Sequence, residues 1–542
     1  MASSPPKRLR RSLTDLQKDY DSGKKKALET VMRAWKGLKE LPHDDPRSFF
    51  MLGGFHGEPF RGKGKTSGAW WGGYCQHGTV LFPTWHRAYL YALENALRSI
   101  PGCADMTLPF WDECSAESLA GGIPRALTDK TFELDGKTIP NPLRSFTFPV
   151  EVRDMIPADN NIYLKPKGYE TVRYPLSGLV GTEGDRAATA AHNAKYPSYA
   201  KNVGILNRNI KDWLTLPLVF PQTWPGTKPG KPQTRGLVHQ KFIDCLSAPN
   251  YTLFSNTTSA KNWNDANKDA IVTPLESPHN FVHLAVGGFD VPGVMNADVI
   301  RGANGDMGEN NTAALDPIFF FHHCFIDYTF WCWQKKHKAK NWLTIDSSDP
   351  GANYVVQVNA NNQPPASADV TAPISMSSPL LPFMVDEDTP YTSNLVVNIE
   401  TQLDYTYGPG SLDEAADPTP DKALVAAAAP APARVVHVSG LNRGKIPGSF
   451  LIAAYADVKG KRTLIDVEPV LSRWNTEGCA NCQNHLETTA DFRVPEALAE
   501  GVEVLVHTRG GVIGGDVPPE QSVGFVESVA SVPEQNFRVE IR

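Results

Sequence analysis

Fourteen histidines are spread along the 542-residue chain, and seven of them fall into two groups spaced for metal binding. The first group is His56, His77 and His86; the second is His279, His283 and the doublet His322-His323. His279 and His283 are four residues apart, so on a helix their rings share a face and can grip one ion. His86 opens the stretch Trp85 to Leu97, in which Tyr89, Leu93, Ala96 and Leu97 recur at helical spacing. His323 sits inside the apolar run Ile318-Phe319-Phe320-Phe321 and its continuation Phe325-Ile326. A polar ring there needs a partner, because burying it unpaired costs a few kcal/mol. An isolated HxxxH pair is more often a helix surface than a metal site. Neutral imidazole also binds zinc, iron and nickel; an all-imidazole set with no Cys or carboxylate group close by favours copper or zinc, and spacing does not separate those two.

These side chains need a rigid frame. The Trp85–Leu97 stretch and a second run from near Asp316 past Trp333 read as helices, with long Pro- and Gly-rich stretches such as 121–156 between them. Loops that long suggest chemistry built on a helical scaffold. The composition changes at Pro409. Residues 409–434 hold four further prolines and an alanine run, and read as an exposed linker. From Val435 to Arg542 apolar and polar residues alternate, as in Phe450-Leu451-Ile452-Ala453-Ala454-Tyr455 and Val502-Glu503-Val504-Leu505-Val506, and short strands separated by turns predict a small β-sandwich. The expected organisation is a mainly α catalytic domain over 1–408, a tether over 409–434 and a β-sandwich over 435–542.

The balance of 53 basic and 59 acidic residues, a net charge of -6, argues against a nucleic-acid partner. No apolar run reaches the ~18 residues that span a bilayer. Lys7, Arg8, Arg10 and Arg11 are followed by the mostly polar Leu13 to Lys18 rather than by the apolar core of a secretory signal. An intracellular, cytoplasmic protein is therefore expected. Eight scattered cysteines are too few for a disulfide scaffold.

Two stretches go beyond spacing. His77-Gly78-Thr79-Val80-Leu81-Phe82-Pro83-Thr84-Trp85-His86-Arg87 resembles the first copper signature of tyrosinases and haemocyanins. Asp316-Pro317-Ile318-Phe319-Phe320-Phe321-His322-His323-Cys324-Phe325-Ile326-Asp327 resembles the second. Gly54-Phe55-His56-Gly57 and Leu108-Pro109-Phe110-Trp111-Asp112 are similar to further segments of that family, and the likeness spans about Leu52 to Tyr407. The resemblance is to the type-3 copper proteins, on the branch of fungal latent tyrosinases. It implies a four-helix bundle around two copper ions. His56, His77 and His86 would hold copper A; His279, His283 and His323 would hold copper B. His322 would then be a neighbour and not a ligand, and Asp327, one turn past His323, would orient a ligand ring. Tyr328 departs from the family pattern, which has Arg there.

The resemblance also implies the activity: two cuprous ions sharing one O2, which hydroxylate monophenols and oxidise catechols to quinones. A phenol, with a pKa near 10, must lose its proton to bind, so a base is needed. Glu276 and Asn280 match the pair that holds a proton-accepting water in tyrosinases, although Glu276 would also simply favour a helix N-terminus. Cys75, two residues before His77, matches a cysteine that forms a thioether to that histidine in fungal relatives. Cys479-Ala480-Asn481-Cys482 matches a motif linked with copper loading, and soft thiolates suit Cu(I). The β domain resembles a lid that docks on its own catalytic domain, with Leu471 or Val470 over the coppers. Gly305-Asp306-Met307 is expected to lead to the pocket rim. A catechol oxidase or o-aminophenol oxidase without monophenol hydroxylation shares the same ligands; an oxygen carrier like haemocyanin and a zinc hydrolase are further readings.

Overall fold

The computed structural model describes residues 8–57, 73–153, 164–178, 183–216, 237–267, 271–294, 305–353, 373–417, 433–474, 476, 479, 481–482, 485–509, 511–514 and 537–542. Four helices frame the histidines. Phe82–Arg98 starts three residues before the expected Trp85, because Pro83 fits a first helical turn whose N–H groups have no partner. Ile318–Lys336 starts just after Pro317 and is buried from Ile318 to Gln334 on every side. A helix apolar all round belongs in the middle of a core. Glu276–Gly287 is likewise buried throughout and stops at Gly288, whose positive φ of 142° suits glycine. Phe49–Gly57 completes the set. Trp35, Phe49, Phe320 and Phe321 pack as an aromatic cluster beneath them, with Trp35 and Phe321 stacked at 5.5 Å.

The ends of the helical domain are tied together by charge. Strand Arg8–Arg10 pairs in parallel with Tyr405–Tyr407. Arg10, wholly buried, donates to Glu94 Oε2 at 2.8 Å and lies 3.6 Å above the Tyr405 ring. Asp327 accepts from Arg87 Nε at 2.6 Å, Tyr405 OH at 2.5 Å and Tyr407 OH at 2.6 Å. This corrects the sequence expectation that Asp327 orients a ligand ring: its oxygens are consumed by two arginines and two tyrosines, and it braces the helix of His86 against the helix of His323. Tyr328 loses nothing by not being Arg, since its ring stacks on Phe110 at 5.0 Å and Arg87 and Arg10 supply the cations.

The C-terminal region is two sheets face to face. One is four-stranded, in the order Lys461–Val470, Phe450–Val458, Glu503–Thr508, Gly511–Ile513; the other orders Glu487–Pro495, Ala433–Asn442, Arg538–Ile541. Ile452, Ala454, Val504 and Val506 face the second sheet and share its core with Val436, Val438, Phe492 and Val494. Leu451, Ala453, Tyr455, Val467 and Leu505 point the other way and join the core of the helical domain. A sheet covered on both faces needs continuous apolar strands, which is why Phe450 to Tyr455 does not alternate with polar residues. The expected tether differs at its start. Leu412 and Ala416 are buried, Ser411 N–H donates to Asp112 Oδ2 at 2.9 Å, and Lys335 pairs with Asp413 at 2.8 Å, so 409–417 packs on the helical domain. The expected linker also ends early, since Ala433 and Arg434 open strand Ala433–Asn442; the stretch between, 418–432, lies outside the described residues. No helix among the described residues is long and apolar enough to cross a membrane.

Candidate metal centre

Seven histidine rings meet at the centre of the helical domain. His56 comes from helix Phe49–Gly57, His77 from the loop before Phe82, and His86 from the first turns of Phe82–Arg98. His279 and His283 lie one turn apart on Glu276–Gly287, and His322 and His323 lie on Ile318–Lys336. His56, His77 and His86 form one metal-sized group, and His279, His283, His322 and His323 form another. The groups face each other, with the His86 and His323 rings stacked at 4.4 Å and His77 and His279 at 5.3 Å.

Hydrogen bonds set the tautomers. His56 Nδ1 donates to Asn310 O at 3.1 Å, His86 Nδ1 to Phe82 O at 2.8 Å, and His283 Nδ1 to Met307 O at 2.8 Å. His279 Nδ1 donates to Asn280 Oδ1 at 2.9 Å. An Nδ1–H committed to an oxygen leaves Nε2 with a bare lone pair. Nε2 of His56, His77 and His86 is buried with no hydrogen-bond partner among the described residues. Nε2 of His279 and of His283 each lie 3.2 Å from Nε2 of His323. The bare Nε2 lone pairs of His279 and His283 converge on a third imidazole nitrogen, and those of His56, His77 and His86 are left without a partner, so both groups fit a bound metal. Burial pushes all six imidazoles below their ordinary value, His86 to about 3 and His283 to about 4. They are neutral at physiological pH, the form a metal binds.

The seventh ring is occupied elsewhere. His322 Nδ1 meets Glu113 Oε1 at 2.6 Å, both side chains fully buried, and its ring stacks on His279 at 5.2 Å. Sequence reasoning missed Glu113. It stands two residues beyond Trp111, and nothing in local spacing reveals a partner 209 positions away. It also missed the carbonyls of Met307 and Asn310, because a backbone acceptor leaves no side-chain signature. In Gly305-Asp306-Met307, Asp306 and Met307 are wholly buried, with Asp306 Oδ1 accepting from Lys165 Nζ at 2.7 Å.

Glu276 is the first residue of its helix, and Asn280 lies one turn on. Glu276 Oε2 accepts from Thr257 N–H and Oγ1, both at 2.9 Å, and Oε1 accepts from Gly78 N–H at 3.0 Å. The carboxylate thereby pins the loop of His77 to the helix of His279. Burial raises its pKa against these hydrogen bonds.

The β domain reaches over the same ground. Asn481 Nδ2 donates to His77 O at 2.8 Å and Cys75 O at 3.2 Å, and the His485 ring lies against Gly78. Leu471 packs into the core of the helical domain, whereas Val470 packs into the sandwich. Cys75 accepts from Asn310 Nδ2 at 3.3 Å and feels the charges of Arg473 and Cys479. Burial alone would push the Cys479 thiol up; the hydrogen bond from Cys482 and the charges of Arg473 and Arg443 bring it down to about 6.

Residues 46–336 match the family model for the common central domain of tyrosinase. The chain is 50% identical to tyrosinase HcTyr2 of Hahella sp. (strain CCB-MM4) over 517 residues, 93% of this chain and 91% of that one. It is 41% identical to a tyrosinase of Aspergillus oryzae over 537 residues, 92% of this chain and 93% of that one. The chain belongs to the tyrosinase family. A solved tyrosinase from Burkholderia thailandensis superposes with a TM-score of 0.79 at 46% identity, over 99% of this chain and 100% of that one. Aspergillus oryzae pro-tyrosinase shares the fold, with a TM-score of 0.60 at 17% identity over 99% and 92% of the two chains. The enzyme oxidises phenols at two histidine-bound copper ions. When bound, the copper pair supplies the two electrons that reduce O2. The chain's own part is to present neutral imidazoles, hold His56, His86, His279 and His283 by their Nδ1–H and keep bulk water out of the centre. The zinc-hydrolase and oxygen-carrier readings fall with this assignment.

Proposed function

We propose that the enzyme ortho-hydroxylates monophenols as well as oxidising o-diphenols, with Glu276 and Asn280 holding the water that accepts the phenol proton. His56, His77 and His86 serve copper A, and His279, His283 and His323 serve copper B. The observation that carries the proton-transfer role is that Glu276 Oε1 has one donor, Gly78 N–H, and keeps a lone pair for a water. Asn280 lies on the same helical face one turn away. Leu284, after His283, adds apolar wall. A lag-phase assay with tyrosine beside L-DOPA tests this. Oxidation of L-DOPA with no turnover of tyrosine would assign a catechol oxidase instead; turnover of o-aminophenols alone would assign an o-aminophenol oxidase.

The same reading makes the β domain a lid that keeps the enzyme latent, with Leu471 the side chain over the coppers. Its packing in the helical core, unlike that of Val470, supports the choice. Protease cleavage within 418–432 should raise activity. Cys75 forms a thioether to His77, detectable as the loss of two hydrogens in the peptide that carries both. Cys479 and Cys482 capture Cu(I) for delivery, supported by their burial beside Cys75 and by Asn481 on the His77 carbonyl. Replacing both with Ser should lower copper content and leave folding intact.

A further inference from the structure

Residues Met307 to Asn310 carry acceptors for both metal groups. Met307 O receives His283 Nδ1–H at 2.8 Å, and Asn310 O receives His56 Nδ1–H at 3.1 Å. One short segment therefore orients one ring of each trio. Its near end is held inside the helical domain. Asp306 accepts from Lys165 Nζ at 2.7 Å, Tyr169 OH at 2.7 Å and Val172 N–H at 2.8 Å. Gly287, the last residue of the His279–His283 helix, lies so close to Gly308 that no side chain fits there.

The far end is held by the other domain. Ser449 Oγ–H donates to Gly308 O at 2.7 Å, and Ser472 O receives Asn310 N–H at 3.2 Å. Ser449 Oγ in turn accepts from Ser472 N–H at 2.9 Å. Ser449 precedes strand Phe450–Val458 and Ser472 follows strand Lys461–Val470. Phe450 and Val470 are register partners, so the two serines leave the same open end of one hairpin. Both are buried, Ser449 completely. A hydrogen bond in such a site is made or lost whole, since water cannot replace it.

We propose that Ser449 and Ser472 make the C-terminal domain a ligand-positioning element, clamping the Met307–Asn310 carbonyls that orient His283 and His56. The proposal rests on the two-copper assignment of these rings. The lid then does more than cover the centre: docking stiffens one ligand of each copper, and undocking loosens both at once. Outer partners of metal-bound imidazoles carry ~10- to 100-fold in metal affinity. Ser449 acts one bond further out, so its effect falls near the lower figure.

The test uses the uncut chain and two readouts. In copper-free protein, Ser449→Ala should speed amide hydrogen exchange across 305–312. In copper-loaded protein, it should speed copper loss to a chelator by ~5- to 10-fold and weaken the near-ultraviolet band that develops on adding peroxide. Ser449→Cys, which keeps the size and a weak donor, should fall between the two, and serves if the alanine variant does not fold. Lys241→Ala removes the lid contacts to Asp466 and Glu468, at 3.4 and 3.7 Å, away from the clamp. It should leave copper loss within twofold of wild type. Unchanged exchange in Ser449→Ala would overturn the clamp. Faster exchange with unchanged copper loss would overturn the positioning role. Equal copper loss in Ser449→Ala and Lys241→Ala would reduce it to general loosening of the lid. Wild-type protein that bound no copper would overturn the metal assignment itself.

Discussion

Replacing Asp327 with asparagine keeps the shape and removes one charge from a site with 3% exposure. The carboxylate now meets Arg87 at 2.6 Å and Arg10 at 3.5 Å, and accepts from the hydroxyls of Tyr405 and Tyr407. An asparagine offers one oxygen in place of two, and its amide turns a donor toward either Arg87 Nε or the two tyrosines. Taking one partner from a buried ion pair costs roughly 3–5 kcal/mol. The tyrosine hydroxyls have alternative acceptors only if the helices move. A loss of about 4 kcal/mol is a change of roughly a thousandfold in the folding equilibrium. At ~2 °C per kcal/mol in a large domain, the melting temperature should fall by about 8 °C. Circular dichroism melts give that number, and copper quantitation after dialysis follows the metal. Because Asp327 joins the helices of His86 and His323, copper retention should fall in step. A melting temperature within 1–2 °C of wild type, roughly what a surface substitution produces, would refute the brace. The pKa of Asp327 is depressed below its ordinary 3.8, so its contribution is present above that value and is lost as pH falls through the folded value. The variant should therefore be less sensitive to acid than wild type in that window.

Three further outcomes follow from the same geometry. Burial raises Glu468 from 4.5 to about 7 beside Lys241, Asp466, Asp491 and Ser277. Docking of the lid takes up a proton at that carboxyl, so docking weakens as pH rises from about 4.5 to about 7; Glu468→Gln should flatten this dependence in a lid-release assay after linker cleavage. Glu276→Gln should cut tyrosine hydroxylation ~100-fold or more while L-DOPA oxidation falls less, measured as initial rates on the cleaved enzyme. Equal losses on both substrates would remove Glu276 from proton transfer. Leu471→Ala should raise the activity of the uncut chain, since it shortens the side chain over the coppers, and no rise would send the search elsewhere on the lid.

Chain-local chemistry determined a good deal here. The 3.6-residue recurrence around His86, the four-residue spacing of His279 and His283, and the change of composition at Pro409 depend on near neighbours. The first two were legible as helices that carry their rings on one face; the third marked a change of composition, but 409–417 still packs on the helical domain. The two signature segments named the metal and the family. Tertiary structure decided what local spacing cannot carry. The second signature singled out His323 over His322, but only the fold shows what His322 does instead: adjacent residues on a helix point about 100° apart, and its ring is turned to Glu113 while His323 meets His279 and His283. Only the fold supplies Met307 O and Asn310 O, since a carbonyl has no residue type to read. Asp327 was misjudged for a related reason: proximity in sequence to His323 suggested a partner, whereas the burial of Arg10 and Arg87 beside it settled where its charge goes. Buried polar groups find partners by long-range packing, and long-range packing is what a linear pattern leaves open.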